Sequence, residues 1–155
     1  RYGYWPDSGG PGRMRGGAGV IKQIQMLEGG EATIRAVDRC RIPPQGVAGG
    51  KPGKGGGWTL NWGSDDEREL PKKQTNLPLK AGDVLTMFTS GGGGLGDPLE
   101  RDPYKVAKDA AEGLISPQSA VSDYGVVLTP GGEPDLEATA ALRARAKARG
   151  KGANA

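Results

Sequence analysis

SGGGGLGDPLERDP, residues 90 to 103, decides how the rest of the chain is read. It follows DVLTMFT (83–89), whose consecutive apolar residues predict a strand buried on both faces. It ends on Asp102-Pro103, a helix start with Asp as N-cap and Pro at the first helical position. Between them, four glycines in a row give a backbone that passes close to a ligand or another chain, at a high entropic cost. A flexible linker needs only glycine and serine and does not call for the LGDPLERDP that follows. The expectation is a fixed turn, with the backbone of Gly91, Gly92, Gly93, Gly94, Gly96 and Asp97 at a partner or substrate interface.

Upstream, Trp58, Leu60 and Trp62 of WTLNW fall on one face of a short strand. Val20–Leu27 and Glu31–Arg39 read as two strands joined at Glu28-Gly29-Gly30, a hairpin signal. In the second, Ala32, Ile34 and Ala36 form an apolar face. Residues 1–19 are too rich in glycine and proline for a helix. An extended or polyproline-type course is expected, with Tyr2, Tyr4 and Trp5 packed on something else. Residues 42–57 are the largest low-complexity stretch.

Downstream, Val106, Ala107, Ala110, Ala111 and Leu114 make a helical stripe. Ser116-Pro117 repeats the start signal, and Tyr124–Leu128 returns as a short strand. Residues 134–149 read as an Ala-rich helix whose Arg143, Arg145, Lys147 and Arg149 form a solvated basic end that suits the helix dipole. The fold class is mainly β with short helices, α+β: antiparallel sheets or a barrel-like module, Gly/Pro-rich polyproline-type segments and C-terminal helices. The expected division is a module at 1–128 followed by a linker and basic helix or tail at 129–155. Within the module come an extended 1–19, β structure at 20–89, the glycine loop at 90–101, and helices with a strand at 102–128.

The composition argues that this chain has company. Val, Ile, Leu and Phe supply only 26 of 155 residues, and Gly and Pro together supply 41, a balance typical of chains that do not fold alone. Ordering each residue costs on the order of 1–2 kcal/mol, and glycine brings no side chain to offset it. A subunit or severed domain, constitutively bound, escapes the problem. A sequence opening on Arg1 fits a cut or processed chain.

Histidine is absent and Cys40 is the single cysteine, so Ser-His-Asp and Cys-His mechanisms, a zinc tetrad and an internal disulfide are excluded. Cys40 reads as a semi-buried small residue. A net charge of +3 does not demand a polyanion. No apolar run reaches a membrane span and no signal peptide is visible, which gives the cytoplasm as the default compartment.

Three motif readings fail on spacing or context. The Gly-Lys pairs at 50–51 and 53–54 lack the earlier glycine and the following Ser or Thr of a P-loop. Gly91, Gly93 and Gly96 match G-x-G-x-x-G, but Pro98 intervenes where a helix should open. Asp97, Glu100 and Asp102, like Asp65, Asp66 and Glu67, lack calcium-loop spacing and read as turn and cap residues. No catalytic residue and no metal ligand is named. An Arg-Gly, RNA-binding character for the first segment and the basic helix stays open as a nonenzymatic alternative.

Four stretches, GGPGRMRGGAGV (9–20), PPQGVAGGKPG (43–53), LPLKAGDVLTMFTSGGGGLGDPLERDP (77–103) and VAKDAAEGLISPQSAVSDYGVVL (106–128), resemble the C-terminal region of the hydantoinase B and oxoprolinase family, in the family's order. The family tends to an aromatic where this chain has Met14 and Leu95. The resemblance implies hetero-oligomeric partners: a hydantoinase A-like subunit with an actin- and Hsp70-like ATP-binding fold, and the rest of a hydantoinase B-like subunit. It implies ATP and Mg bound on those partners and none on this chain. The reaction it implies is phosphorylation of a carbonyl oxygen, followed by carboxylation of a ketone or hydrolysis of a cyclic amide. On this reading the chain is a small subunit of an acetophenone carboxylase-like complex, structural and completing the active site, or the C-terminal part of a hydantoinase or oxoprolinase.

Overall fold

The computed structural model describes residues 1–35 and 40–152, with side chains up to 148. Its elements are β1 (Tyr2–Trp5), β2 (Gly19–Gln25), β3 (Gly30–Arg35), β4 (Gly57–Leu60), β5 (Arg68–Glu69), β6 (Lys73–Leu79), β7 (Val84–Phe88), α1 (Pro103–Ala111), α2 (Pro117–Ser122), β8 (Val127–Leu128), β9 (Pro134–Asp135) and α3 (Leu136–Gly152). The strands form open antiparallel sheets: a five-stranded one in the order β1-β2-β7-β4-β5 and two-stranded ones from β3-β6 and β8-β9. The α+β expectation holds, in its open-sheet rather than its barrel form.

The apolar run at 83–89 becomes β7, hydrogen-bonded on one side to β2 and on the other to β4. Glu28-Gly29-Gly30 is a corner and not the hairpin read from sequence. β2 pairs with β7 from Ile21↔Phe88 to Gln25↔Val84, and β3 takes up β6 at Gly30↔Leu79 without a change of register. Two long antiparallel strands therefore bend together across 26–29 and 80–83 and pass from one sheet to the other. Gly82, at φ +91°, makes the bend on the second strand, and its N–H donates to the Met26 carbonyl.

The corner folds the sheets over a shared core of Ile34, Leu60, Leu70, Leu77, Leu79 and Leu85, flanked by Met26, Ala32 and Trp58. Burial of each such side chain contributes roughly 1.5–3 kcal/mol. Ala32 and Ile34 face the core as their alternation predicts, while Ala36 and the rest of that expected strand to Arg39 lie outside the described residues. Trp62 leaves the Trp58–Leu60 face, because Asn61 adopts φ 55° and ends the alternation. Its ring meets Phe88 edge-on at 5.1 Å, and Trp5 packs on Phe88 at 4.9 Å. Tyr2 and Tyr4, expected to pack, are exposed instead.

A second core gathers Val106, Ile115, Ala120, Tyr124 and Val126. Asp102 and Ser116 cap α1 and α2 as read, each accepting a bond from a first-turn N–H. Ile115 joins this core, whereas Ala111, expected in the helical stripe, is exposed. Pro134-Asp135, read as helical, pairs as β9 with β8, and Asp135 accepts from the Ala138 N–H at the start of α3. Arg143 is not part of a solvated end. Its guanidinium turns inward and donates to the carbonyls of Tyr124 (3.0 Å) and Arg101 (2.7 Å).

Candidate functional site

Leaving β7, the chain enters a bundle made of backbone. Residues 90–97 run between the segments at 8–17 and 44–54, and the three are joined by main-chain bonds that belong to no regular sheet. Gly10 N–H donates to Gly92 O (2.8 Å) and Gly92 N–H to Gly17 O (2.9 Å). Gly91 N–H donates to Lys54 O (3.1 Å), Gly94 N–H to Lys51 O (3.0 Å) and Val47 N–H to Gly94 O (2.9 Å). Lys51 N–H reaches Pro11 O at 2.7 Å and Lys54 N–H reaches Ser8 O at 2.8 Å, which closes the triangle.

Glycine is required here for space. A Cβ on Gly91 would land on the Ser8 carbonyl, on Gly93 on that of Gln45, and on Gly94 on that of Pro11. The neighbouring segments answer in kind, with Gly16 against Gly92 O and Gly50 against Gly94 O. It is the crowded-axis logic that places glycine inside collagen, achieved with segments of one chain. The low count of large apolar residues thus has a second physical account beside a missing companion, since part of this core is hydrogen-bonded backbone.

The bundle is clamped to the helices by a buried ion cluster. Arg15 Nε (3.1 Å) and Arg101 (2.8 Å) both donate to Asp109 Oδ2, and the side chains involved are 10–13% exposed. Arg101 also donates to the Arg13 carbonyl, so one guanidinium ties the loop exit to the first segment and to α1. The Arg101 Nε and the Tyr124 hydroxyl are buried with no partner among the described residues. Burial pushes the Tyr124 phenol up to about 12. Burial also lowers the Arg143 guanidinium, against the pull of Asp97 and Asp102. Far from the bundle, the Lys80 N–H and then the Asn61 amide hold the Asp83 carboxyl below its ordinary value.

Of the residues singled out from sequence, Gly91 and Gly94 are buried against this chain's own segments. Gly92 and Gly93 are half-buried, and Gly91 and Gly92 border an open groove of about 510 Å³ with Ile42, Pro43, Pro44, Gln45 and Ser90. Gly96 sits at φ +76° under the Arg13 side chain. Asp97 caps the short turn Pro98–Glu100, and Asp102 caps α1, as turn and cap residues do. Glu67 accepts from the Gly63 N–H within its own turn.

Sequence reasoning missed the tip of the bundle. Leu95 bridges antiparallel to Met14 and parallel to Val47, and these three large side chains stand 45%, 56% and 64% exposed. The one available signal was that 14 and 95 are the two positions at which the chain departs from the aromatic habit of the family it resembles. Among the described residues no three His, Cys, Asp or Glu gather to hold a metal. None of the shifted groups lines that groove or the tip.

The comparisons with known proteins coincide with this architecture. A family model described as hydantoinase B/oxoprolinase matches residues 1–98, which contain all three segments of the bundle. The chain belongs to the hydantoinase B/oxoprolinase family. Within that family it is similar to caprolactamase subunit beta of Pseudomonas jessenii, 34% identical over 93% of this chain and 25% of the relative. It is similar to the acetophenone carboxylase delta subunit of Aromatoleum aromaticum, 31% identical over 91% of this chain and 25% of the relative. The crystal structure of ATP-dependent caprolactamase from Pseudomonas jessenii superposes with a TM-score of 0.71 at 31% identity, over 93% of this chain and 25% of that one. The chain thus spans about a quarter of the length of the curated relatives it matches.

An RNA-binding tail finds no support. The Arg-Gly segment is built into the bundle, and Arg15 is turned inward onto Asp109. No helix among the described residues is long and apolar enough to cross a membrane.

Proposed function

We propose that this chain supplies the glycine-bundle module of a hydantoinase B-type subunit within an ATP-dependent hetero-oligomer that activates a carbonyl group. The observation that carries the reading is the continuous likeness to ATP-dependent caprolactamase over 93% of the chain at a TM-score of 0.71. The module holds backbone in place, with the half-buried Gly92, Gly93, Gly96 and Asp97 lying toward the partner or substrate side. It supplies no nucleophile or general base. ATP and Mg are held by hydantoinase A-type partners, and the complex works in the cytoplasm.

Two reactions fit this role. Ketone carboxylation is favoured by the likeness to an acetophenone carboxylase subunit. Opening of a cyclic amide is favoured by the likeness to caprolactamase in both sequence and structure. Purifying the protein with its A-type companions and measuring ATP hydrolysis separates them. Acetophenone or acetone with bicarbonate should stimulate hydrolysis in the first case, and caprolactam, hydantoin or oxoproline in the second. A complex that hydrolyses no ATP with either set refutes the proposal.

A further inference from the structure

Met14, Val47 and Leu95 come from three different segments, yet the two bridges centred on Leu95 bring them side by side. Partners in such bridges project their side chains to the same side. Their backbones are held by bonds in both directions between Met14 and Leu95, by Val47 N–H to Gly94 O, and by Gly96 N–H to Val47 O. A surface whose backbone is already fixed docks with less main-chain ordering entropy left to lose. Leu27, more exposed at 86%, belongs to no such bridge and needs no such explanation.

The residue just before Met14 in the chain is charged. Arg13 is exposed, lies across Gly96 and makes no ion pair among the described residues, whereas Arg15 and Arg101 are both committed to Asp109. The chemistry complementary to this surface is an apolar segment with a carboxylate beside it. In the relatives, about three quarters of the subunit lies outside the part this chain matches.

We propose that Met14, Val47 and Leu95 are the anchor on which the remaining part of a hydantoinase B-type subunit seats, with a carboxylate of that part meeting Arg13. This rests on the reading of the chain as a B-type module.

Methionine oxidation tests it on the unaltered protein. The purified assembly is treated with hydrogen peroxide, and sulfoxide at Met14, Met26 and Met87 is followed by peptide mass spectrometry, before and after dissociation. Met14 should oxidise at least tenfold more slowly in the assembly, while Met26 and Met87, half-buried within this chain, change little. Equal rates at Met14 in the two states overturn the proposal. A photo-crosslinking residue at Leu95 identifies the occupant. A crosslink to the B-type remainder supports the proposal, and one to a second copy of this chain or to an A-type subunit overturns it. Arg13→Glu should weaken recovery of the assembly several-fold with Leu27→Glu as a neutral control, and equal recovery removes the charge component. An assembly with ATP-dependent activity whose Met14 oxidises freely refutes the anchor alone, whereas an assembly without that activity refutes the functional reading whatever Met14 does.

Discussion

Replacing Gly94 by alanine adds one methyl group at a crowded point of the bundle. The new Cβ would meet the Pro11 carbonyl and lie 2.7 Å from the Gly10 carbonyl oxygen, and neither is a side chain that can swing away. Overpacking of this kind costs about 1–3 kcal/mol. Pushing the segments apart also stretches the bonds from Gly94 N–H to Lys51 O and from Val47 N–H to Gly94 O, each worth roughly 0.5–1.5 kcal/mol net. The expected loss is therefore roughly 2–6 kcal/mol, and at a urea m-value of about 2 kcal/mol/M the midpoint falls by roughly 1–3 M. Gly17→Ala is the matched control. Nothing lies within 4 Å of a Cβ there, so alanine should be neutral or stabilise by about 0.4–1 kcal/mol through the unfolded chain. Urea titration of the purified protein, followed by tryptophan fluorescence, reads both variants because Trp5 and Trp62 report on Phe88 just ahead of the bundle. Coincident midpoints for the two variants would refute the claim that these glycines are selected for space.

Further expectations rest on single features. Asp109→Asn leaves Arg15 and Arg101 buried without their carboxylate, and removal of one member of a buried pair costs about 3–5 kcal/mol; the same titration checks it, and an unchanged midpoint would show that the cluster is not a clamp. Tyr124→Phe removes a buried hydroxyl that has no partner, so stability at neutral pH should be unchanged or higher. Because the folded phenol is raised from 10.0 to about 12, the unfolded chain ionises first as pH rises. Its contribution is intact below pH 10, declines toward pH 12, and should vanish in the Phe variant on alkaline thermal melts. Asn61→Val forces a β-branched residue to φ 55° and deletes the bonds to Asp83 and from the Val84 N–H, which should lower the melting temperature by several degrees.

Local signals were legible in the sequence and long-range ones were not. β7 announces itself by apolar residues interrupted only at Thr86, and Asp102-Pro103 and Ser116-Pro117 carry their caps in plain view. Gly29-Gly30 misleads because a corner and a hairpin ask for the same backbone freedom, and only the pairing of Gly30 with Leu79 tells them apart. Trp62 misleads because one left-handed residue, Asn61, resets the period of two. The glycine tetrad is conspicuous, but its neighbours on the bundle, Ser8, Pro11, Gln45 and Lys51, lie far from it in the chain. The bond between Arg15 and Asp109 spans 94 positions, and no local pattern marks it.

The central claim is that residues 90–97 are core, held by main-chain bonds to two other segments of the same chain. Amide hydrogen exchange in the purified protein tests this directly. The account predicts that the N–H groups of Gly91, Gly92 and Gly94, which donate to Lys54, Gly17 and Lys51, exchange as slowly as those of β7. Exchange across 90–97 at the rate of an unstructured chain would show a linker and contradict it.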